Sequence, residues 1–193
     1  DTDTLNTLPK REWQSGYAEV VKYGLISDVG FFENLEAESL ALEAMITHCC
    51  RMKADIVQQD ETEKGVRALL NFGHSFGHAL EAHMGYDGRL LHGEAVSIGM
   101  MLAAKFSEYL NIHSEPLIDP IEKHLKRHGL PISAKDMSCN IKPNVMLELM
   151  MKDKKNEAGS MTLILLEAIG KAMISKDVSK EVLSDFEMFQ AIF

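Results

Sequence analysis

Two histidines one helical turn apart, His74 and His78, lie in the run Asn71-Phe-Gly-His-Ser-Phe-Gly-His-Ala-Leu-Glu81, with Gly73 and Gly77 at the same spacing one residue earlier. Side chains at i and i+4 project from one helix face, so the imidazoles can act on a common metal or ligand. Each glycine costs a helix about 1 kcal/mol relative to alanine, which points to a close approach by a ligand, a metal or another backbone. Catalytic zinc takes three protein ligands, commonly His with Glu or Asp, and keeps a position open for water or substrate. Glu19 lies in an apolar helical pattern where an unpaired carboxylate is costly, and His92 follows a turn that can swing it back toward the pair. Spacing alone does not choose three ligands among Glu19, His74, His78 and His92. The competing explanation is a hydrogen-bonded core histidine, and His48, His83, His113, His124 and His128 are assigned to packing or surface on that ground.

A second theme is cationic. Arg67, Asn71, His74 and His78 fall on one stripe at helical spacing, Lys22 follows Glu19 by three residues, and Lys53 stands in an adjacent helical segment. A guanidinium, an amide and two imidazoles make a poor core face. They suit a polyhydroxylated anion, because arginine offers a planar donor fork to phosphate or carboxylate. The plainer alternative is a solvated face with ion pairs to Glu61 or Glu63. The charge run Lys152-Asp-Lys-Lys155 precedes a hairpin pattern and can also reach an anion, although such runs are commonly solvated.

These residues need a helical frame. Helical periodicity covers residues 10–25, 38–60, 67–86, 94–110, 121–128 and 144–152, with a short helix over 31–36. The 94–110 segment is apolar nearly all round and is expected at the centre, with Met100 and Met101 as core filler. Strand patterns appear late, at 160–166 and 171–175, followed by a helix over 178–193. The expectation is a mainly α, multi-helix domain spanning 1–193 with one small β-hairpin near its C-terminus. A chain of 193 residues, 46% hydrophobic and 25% charged, can bury one substantial core. A net charge of −9 and a pI near 5.4 argue against nucleic acid or an anionic membrane as partner. Three cysteines, two of them adjacent, form no disulfide framework, and no segment reads as a membrane span or signal, so a soluble cytoplasmic protein is expected. The chain opens at Asp1 without an initiator methionine and reads like the middle of a longer one.

The ordered segments Ser15-Gly-Tyr-Ala-Glu-Val-Val-Lys-Tyr-Gly24, Lys53-Ala-Asp-Ile-Val57, Asp60-Glu61 with Gly65 and Arg67, Leu70-Asn-Phe-Gly-His-Ser-Phe-Gly-His-Ala-Leu-Glu81, Leu91-His-Gly-Glu-Ala-Val96 and Asp153-Lys-Lys155 resemble the 3-dehydroquinate synthases. The likeness spans nearly the whole chain but only the C-terminal half of that enzyme, whose N-terminal NAD-binding domain is absent from this sequence. It implies Glu19, His74 and His92 as metal ligands, for zinc or alternatively cobalt, and it moves His78 to the substrate side. It further implies substrate contacts from Lys22, Lys53, Arg67, Asn71, His78 and Lys154, with His78 and Lys22 taking catalytic parts; it assigns no NAD-binding residue in this chain.

The implied reaction is conversion of 3-deoxy-D-arabino-heptulosonate 7-phosphate to 3-dehydroquinate and phosphate in the shikimate pathway. The implied partners are a phosphorylated sugar acid, the N-terminal NAD-binding domain and a second copy in a homodimer. Ser75 departs from the threonine common at that position. Another sugar-phosphate cyclase or a metal-dependent polyol dehydrogenase is the alternative enzyme, and a structural metal-binding module the alternative class.

Overall fold

The computed structural model describes residues 1–63, 65–152 and 160–185. After a short 3-10 helix at Thr2–Thr7, helix α1 (Lys10–Ser27) leads into α2 (Val29–Glu36) and α3 (Leu42–Gln59). A 3-10 helix at Val66–Asn71 precedes α4 (His74–Met84), followed by α5 (His92–Tyr109), α6 (Ile118–Arg127), a 3-10 turn at Ala134–Met137 and α7 (Pro143–Met151). Strands β1 (Ser160–Ala168) and β2 (Lys171–Ser179) form an antiparallel hairpin, and α8 (Lys180–Asp185) follows. The expected mainly helical architecture with one late hairpin is the observed one. Among the described residues no helix is long and apolar enough to cross a membrane.

Helix α5 is the centre. It is buried almost all round, Met100 and Met101 are fully enclosed, and α1, α4, α6 and β1 pack against it. An element without a polar face has to be surrounded in this way. The hairpin is tied to the helices by specific bonds. The Leu166 amide donates to the buried Ser107 hydroxyl at 2.9 Å, and the Gly170 amide at the β-turn donates to the Leu25 carbonyl at 2.9 Å.

The buried histidine of the frame is His124 on α6. Its Nε2 lies 3.1 Å from the Tyr17 hydroxyl and its ring packs on Phe32 and His128. Burial pushes its pKa down to about 4 and raises that of the Tyr17 phenol, so both groups are neutral parts of the core.

Several boundaries differ from the sequence expectation. The single helix over 67–86 is instead two pieces, because Gly73 adopts a left-handed backbone (φ 79°) and begins α4 afresh at His74. The break has a packing cause: a Cβ on Gly73 would stand 2.8 Å from the Met100 amide nitrogen, and one on Gly99 would collide with the Gly73 carbonyl oxygen. Helix α3 begins at Leu42 rather than residue 38, since Glu38 itself has a left-handed backbone (φ 51°). Helix α5 begins at His92 rather than Glu94, and β2 runs on to Ser179, leaving a helix only from Lys180 to Asp185. The rest of the expected C-terminal helix, residues 186–193, lies outside the described residues.

The crossing of α4 on α5 makes a stability test. Gly99→Ala is expected to destabilise the chain by about 2–3 kcal/mol, the scale of core overpacking. Gly77→Ala, whose Cβ would meet the Ala95 carbonyl at 3.1 Å, should lose under 1 kcal/mol, because the contact is far milder and the helix propensity regained at either position, about 1 kcal/mol, largely offsets it here. Urea denaturation of the two variants reads the difference, and equal losses would refute the role given to Gly99.

Candidate metal centre and adjoining cleft

Three chain segments deliver three side chains to one point. Glu19 comes from α1, while His74 and His92 are the first residues of α4 and α5. A helix N-terminus carries positive dipole and works against an imidazolium at either ring. The His74 Nε2 is 3.6 Å and the His92 Nε2 3.8 Å from the same Glu19 oxygen, Oε1, and the two rings stand 5.3 Å apart at 65°. One donor atom from each of the three residues lies within 4.8 Å of the others. That Glu19 oxygen is buried and has no hydrogen-bond partner among the described residues. A buried acceptor of this kind is costly when left unsatisfied, and a cation between it and the two imidazoles would satisfy it.

The remaining atoms of the triad are held. Glu19 Oε2 accepts from the Lys22 ammonium at 2.6 Å, and Lys22 is only 3% exposed. Burial pushes the Glu19 carboxyl up, but Lys22, with His74 and His92, overrides it and holds the group below its ordinary value. Burial lowers the Lys22 ammonium, and Glu19 opposes this only in part. His74 Nδ1 meets the Phe72 carbonyl oxygen at 3.1 Å; a carbonyl can only accept, so Nδ1 carries the proton and Nε2 the lone pair. Burial pushes His74 down to about 4. His92 Nδ1 lies 3.1 Å from Glu81 Oε1, and this hydrogen bond is the main reason that His92 is raised. His78, Glu81 and His92 form a second group of donors within 4.8 Å.

The start of α5 is locked to α1. Arg11 grips the Glu94 carboxylate with both arms, at 2.6 and 2.7 Å, and also reaches the Arg89 carbonyl at 2.6 Å. Glu94 in turn accepts from the Leu91 amide at 2.8 Å, and the Gly93 amide donates to the Ser15 hydroxyl at 3.0 Å. A side chain on Gly93 would collide with the Ser15 carbonyl. The helix bearing Glu19 and the helix bearing His92 are therefore tied directly to each other.

Beside the triad opens a cleft of about 240 Å³ lined by Glu19, Lys22, Lys53, Arg67, Asn71 and His74, together with Glu63. The stripe expected on one helix is broken at Gly73, yet Arg67, Asn71 and His74 still share this wall. Arg67 donates to the Glu61 carbonyl at 2.7 Å and Asn71 to the Glu63 carboxylate at 2.7 Å. His78 is not among the residues that line this cleft; it is exposed, its ring 5.5 Å from His74 and 6.2 Å from His92. Lys154, with Asp153 and Lys155, lies outside the described residues. Sequence reasoning passed over the Arg11–Glu94 lock; Glu61 and Glu63, named there as acidic partners of the stripe, do accept from Arg67 and Asn71, Glu61 through its backbone carbonyl. Glu94 in the first turn of an apolar helix was an available signal for the lock.

The 3-dehydroquinate synthase C-terminal family matches residues 16–156. The chain is similar to the 3-dehydroquinate synthases of Sinorhizobium medicae, at 49% identity over 97% of this chain and 52% of the relative, and of Rhizobium etli, at 48% over 95% and 52%. The chain thus spans about half the length of the curated relatives it matches. Among solved structures it resembles 2-epi-5-epi-valiolone synthase from Streptomyces hygroscopicus subsp. jinggangensis, determined with NAD+ and Zn2+ bound, with a TM-score of 0.82 and 25% identity, covering 99% of this chain and 54% of that one. It also shares its fold with 2-deoxy-scyllo-inosose synthase (TM-score 0.76, 24% identity, covering 100% of this chain and 55% of that one).

Removing the lock should loosen His92 before it unfolds the chain. In Arg11→Ala the amides of residues 89–93 are expected to exchange with solvent at least about tenfold faster, a local opening easier by about 1.4 kcal/mol. Hydrogen–deuterium exchange read by mass spectrometry checks this, and unchanged protection there would remove the lock from the account.

Proposed function

Because the chain belongs to the 3-dehydroquinate synthase C-terminal family, we propose that it is the metal- and substrate-binding half of a 3-dehydroquinate synthase. The reaction in this reading turns 3-deoxy-D-arabino-heptulosonate 7-phosphate into 3-dehydroquinate and phosphate, the shikimate-pathway step toward aromatic amino acids. The observation that carries it is the partnerless buried oxygen of Glu19, faced by two imidazole nitrogens at the edge of a cleft lined with Lys22, Lys53, Arg67 and Asn71. A metal-binding module without a substrate has no use for that cationic wall.

Glu19, His74 and His92 would hold the metal, zinc or cobalt, and NAD would sit mainly on an N-terminal half outside this sequence. When bound, the metal supplies a Lewis acid to a substrate oxygen and the nicotinamide supplies a reversible hydride acceptor. This chain's own residues bind and orient. Lys22, nearly enclosed and ion-paired with Glu19, presents a fixed cation at the seam between metal site and cleft. Lys53 and Arg67 grip the phosphate and carboxylate, Asn71 bonds a ring hydroxyl, and Lys154 joins them. Asn71 and Arg67 now donate to the 61–63 loop, so an incoming anion exchanges one acceptor for another rather than filling bare donors. His78, open to solvent beside both ligand imidazoles, moves a proton to or from the substrate. The three free cysteines suit a reducing cytoplasm, and a homodimer is part of the same reading.

Identity to the solved neighbours is 24–25%, against 48–49% to the 3-dehydroquinate synthases, and this difference supports the present reading over another sugar-phosphate cyclase.

Metal analysis tests the ligand set. Glu19→Ala and His92→Ala are expected to lose bound zinc, whereas His78→Ala should retain it; equal occupancy in all three contradicts the assignment. Activity tests the rest. The chain alone should release almost no phosphate from the heptulosonate substrate, and mixing it with a relative's N-terminal half should restore NAD-dependent release. In that mixture His78→Ala should be slower by about 10²–10⁴-fold, the range of general acid–base catalysis. Strong turnover by the chain alone would overturn the division of labour.

A further inference from the structure

The mechanism above leaves unused a carboxylate that sits against a proposed ligand. Resting on the reading of His92 as a metal ligand, we propose that Glu81 is a positioning residue whose carboxylate holds the His92 ring by Nδ1, making Nε2 the ligating nitrogen.

Three observations support it. First, the geometry is a relay: Glu81 Oε1 stands 3.1 Å from His92 Nδ1, and the opposite ring nitrogen faces Glu19 Oε1 at 3.8 Å. An N–H donated to a carboxylate fixes the tautomer, turns the ring and makes the other nitrogen a better donor to a metal.

Second, His92 needs such a hold more than His74 does. The His92 side chain is 48% exposed against 13% for His74, so packing does not set its rotamer. His74 is already anchored on the Phe72 backbone carbonyl, an acceptor that no side-chain substitution removes. Glu81 gives His92 the equivalent anchor by side chain.

Third, Glu81 occupies a place a carboxylate would not choose for stability. Its side chain is only 12% exposed, in the second half of α4, toward the negative end of the helix dipole. The His92 N–H offsets that cost.

A different use of the same atoms is conceivable chemically: His78, Glu81 and His92 could hold a second cation through His92 Nδ1. Nδ1 cannot donate a proton to Glu81 and bind a metal at once, so the two roles exclude each other.

The test has two arms. In the metal-free chain at about pH 8.5, long-range 1H–15N NMR should show His92 with its proton on Nδ1. Glu81→Ala should shift it to the Nε2–H tautomer. In chelator competition, zinc affinity should fall about 10–100-fold in Glu81→Ala, and less in Glu81→Gln, which keeps an acceptor oxygen and guards against loss of fold. An unchanged tautomer, or affinities within about threefold in both variants, overturns the inference. So does a second zinc equivalent on the wild-type chain that only the Glu81 variants lose. If the wild-type chain bound no zinc, the metal reading would fail, while the tautomer arm would still decide whether Glu81 sets the ring.

Discussion

The contact on which the rest of the structure depends is the crossing of α4 over α5, with glycines at the closest approach. Gly73, Gly77 and Gly99 meet there, and the Gly73 carbonyl occupies the space a Cβ on Gly99 would need. The glycines weaken both helices locally, yet they let two backbones approach closely enough that the first residues of α4 and α5 face each other. Those residues are His74 and His92. With any larger residue at 99 the N-terminus of α4 would have to move outward, carrying one imidazole away from the other.

Onto this crossing the chain builds an electrostatic arrangement that stability alone would not select. A half-buried ion pair such as Glu19–Lys22 gains little over apolar packing once desolvation is counted, and here one carboxylate oxygen is left without a hydrogen-bond partner. Lys22 keeps the carboxylate ionised while binding only Oε2; Oε1 is thereby reserved for the imidazole side. The same ammonium borders the cleft, so charge that holds the triad also faces any anion entering beside it. The site is best understood as a group of unfavourable burials that a cation and an anionic substrate would jointly relieve.

The parts legible in the sequence were those set by local periodicity. The apolar period of α5, the paired strands and the enclosed Met100 and Met101 follow from residues a few positions apart. The parts that were not legible depend on distant neighbours. Gly73 and Gly77 signal a close approach, which the α5 backbone makes, but not that the helix must restart at His74; that depends on Gly99, on another helix. The Arg11–Glu94 lock joins residues 83 apart in sequence. The left-handed backbone at Glu38 gives no compositional warning, since glycine or asparagine is the usual sign of it. For the site, spacing offered four candidate ligands, and only the family resemblance narrowed them. The fold brings Glu19, His74 and His92 together, but it also brings His78, Glu81 and His92 together.

What separates these two groups is the state of the carboxylate oxygen and the burial of the imidazole beside it, rather than distance. Glu19 Oε1 is enclosed and partnerless, and His74 is mostly buried and driven toward neutrality, so the first group combines an unsatisfied anion with a ready lone pair. In the second group the Glu81 carboxylate already has the His92 N–H, and His78 stands in solvent. A cation gains most where water cannot compete and an acceptor is otherwise unsatisfied, which is the ground on which the proposed reading takes the first group. The consequence for the i, i+4 pair is a division within one turn of α4. His74 is enclosed and presents Nε2 toward the carboxylate; His78, one turn on, is open to solvent.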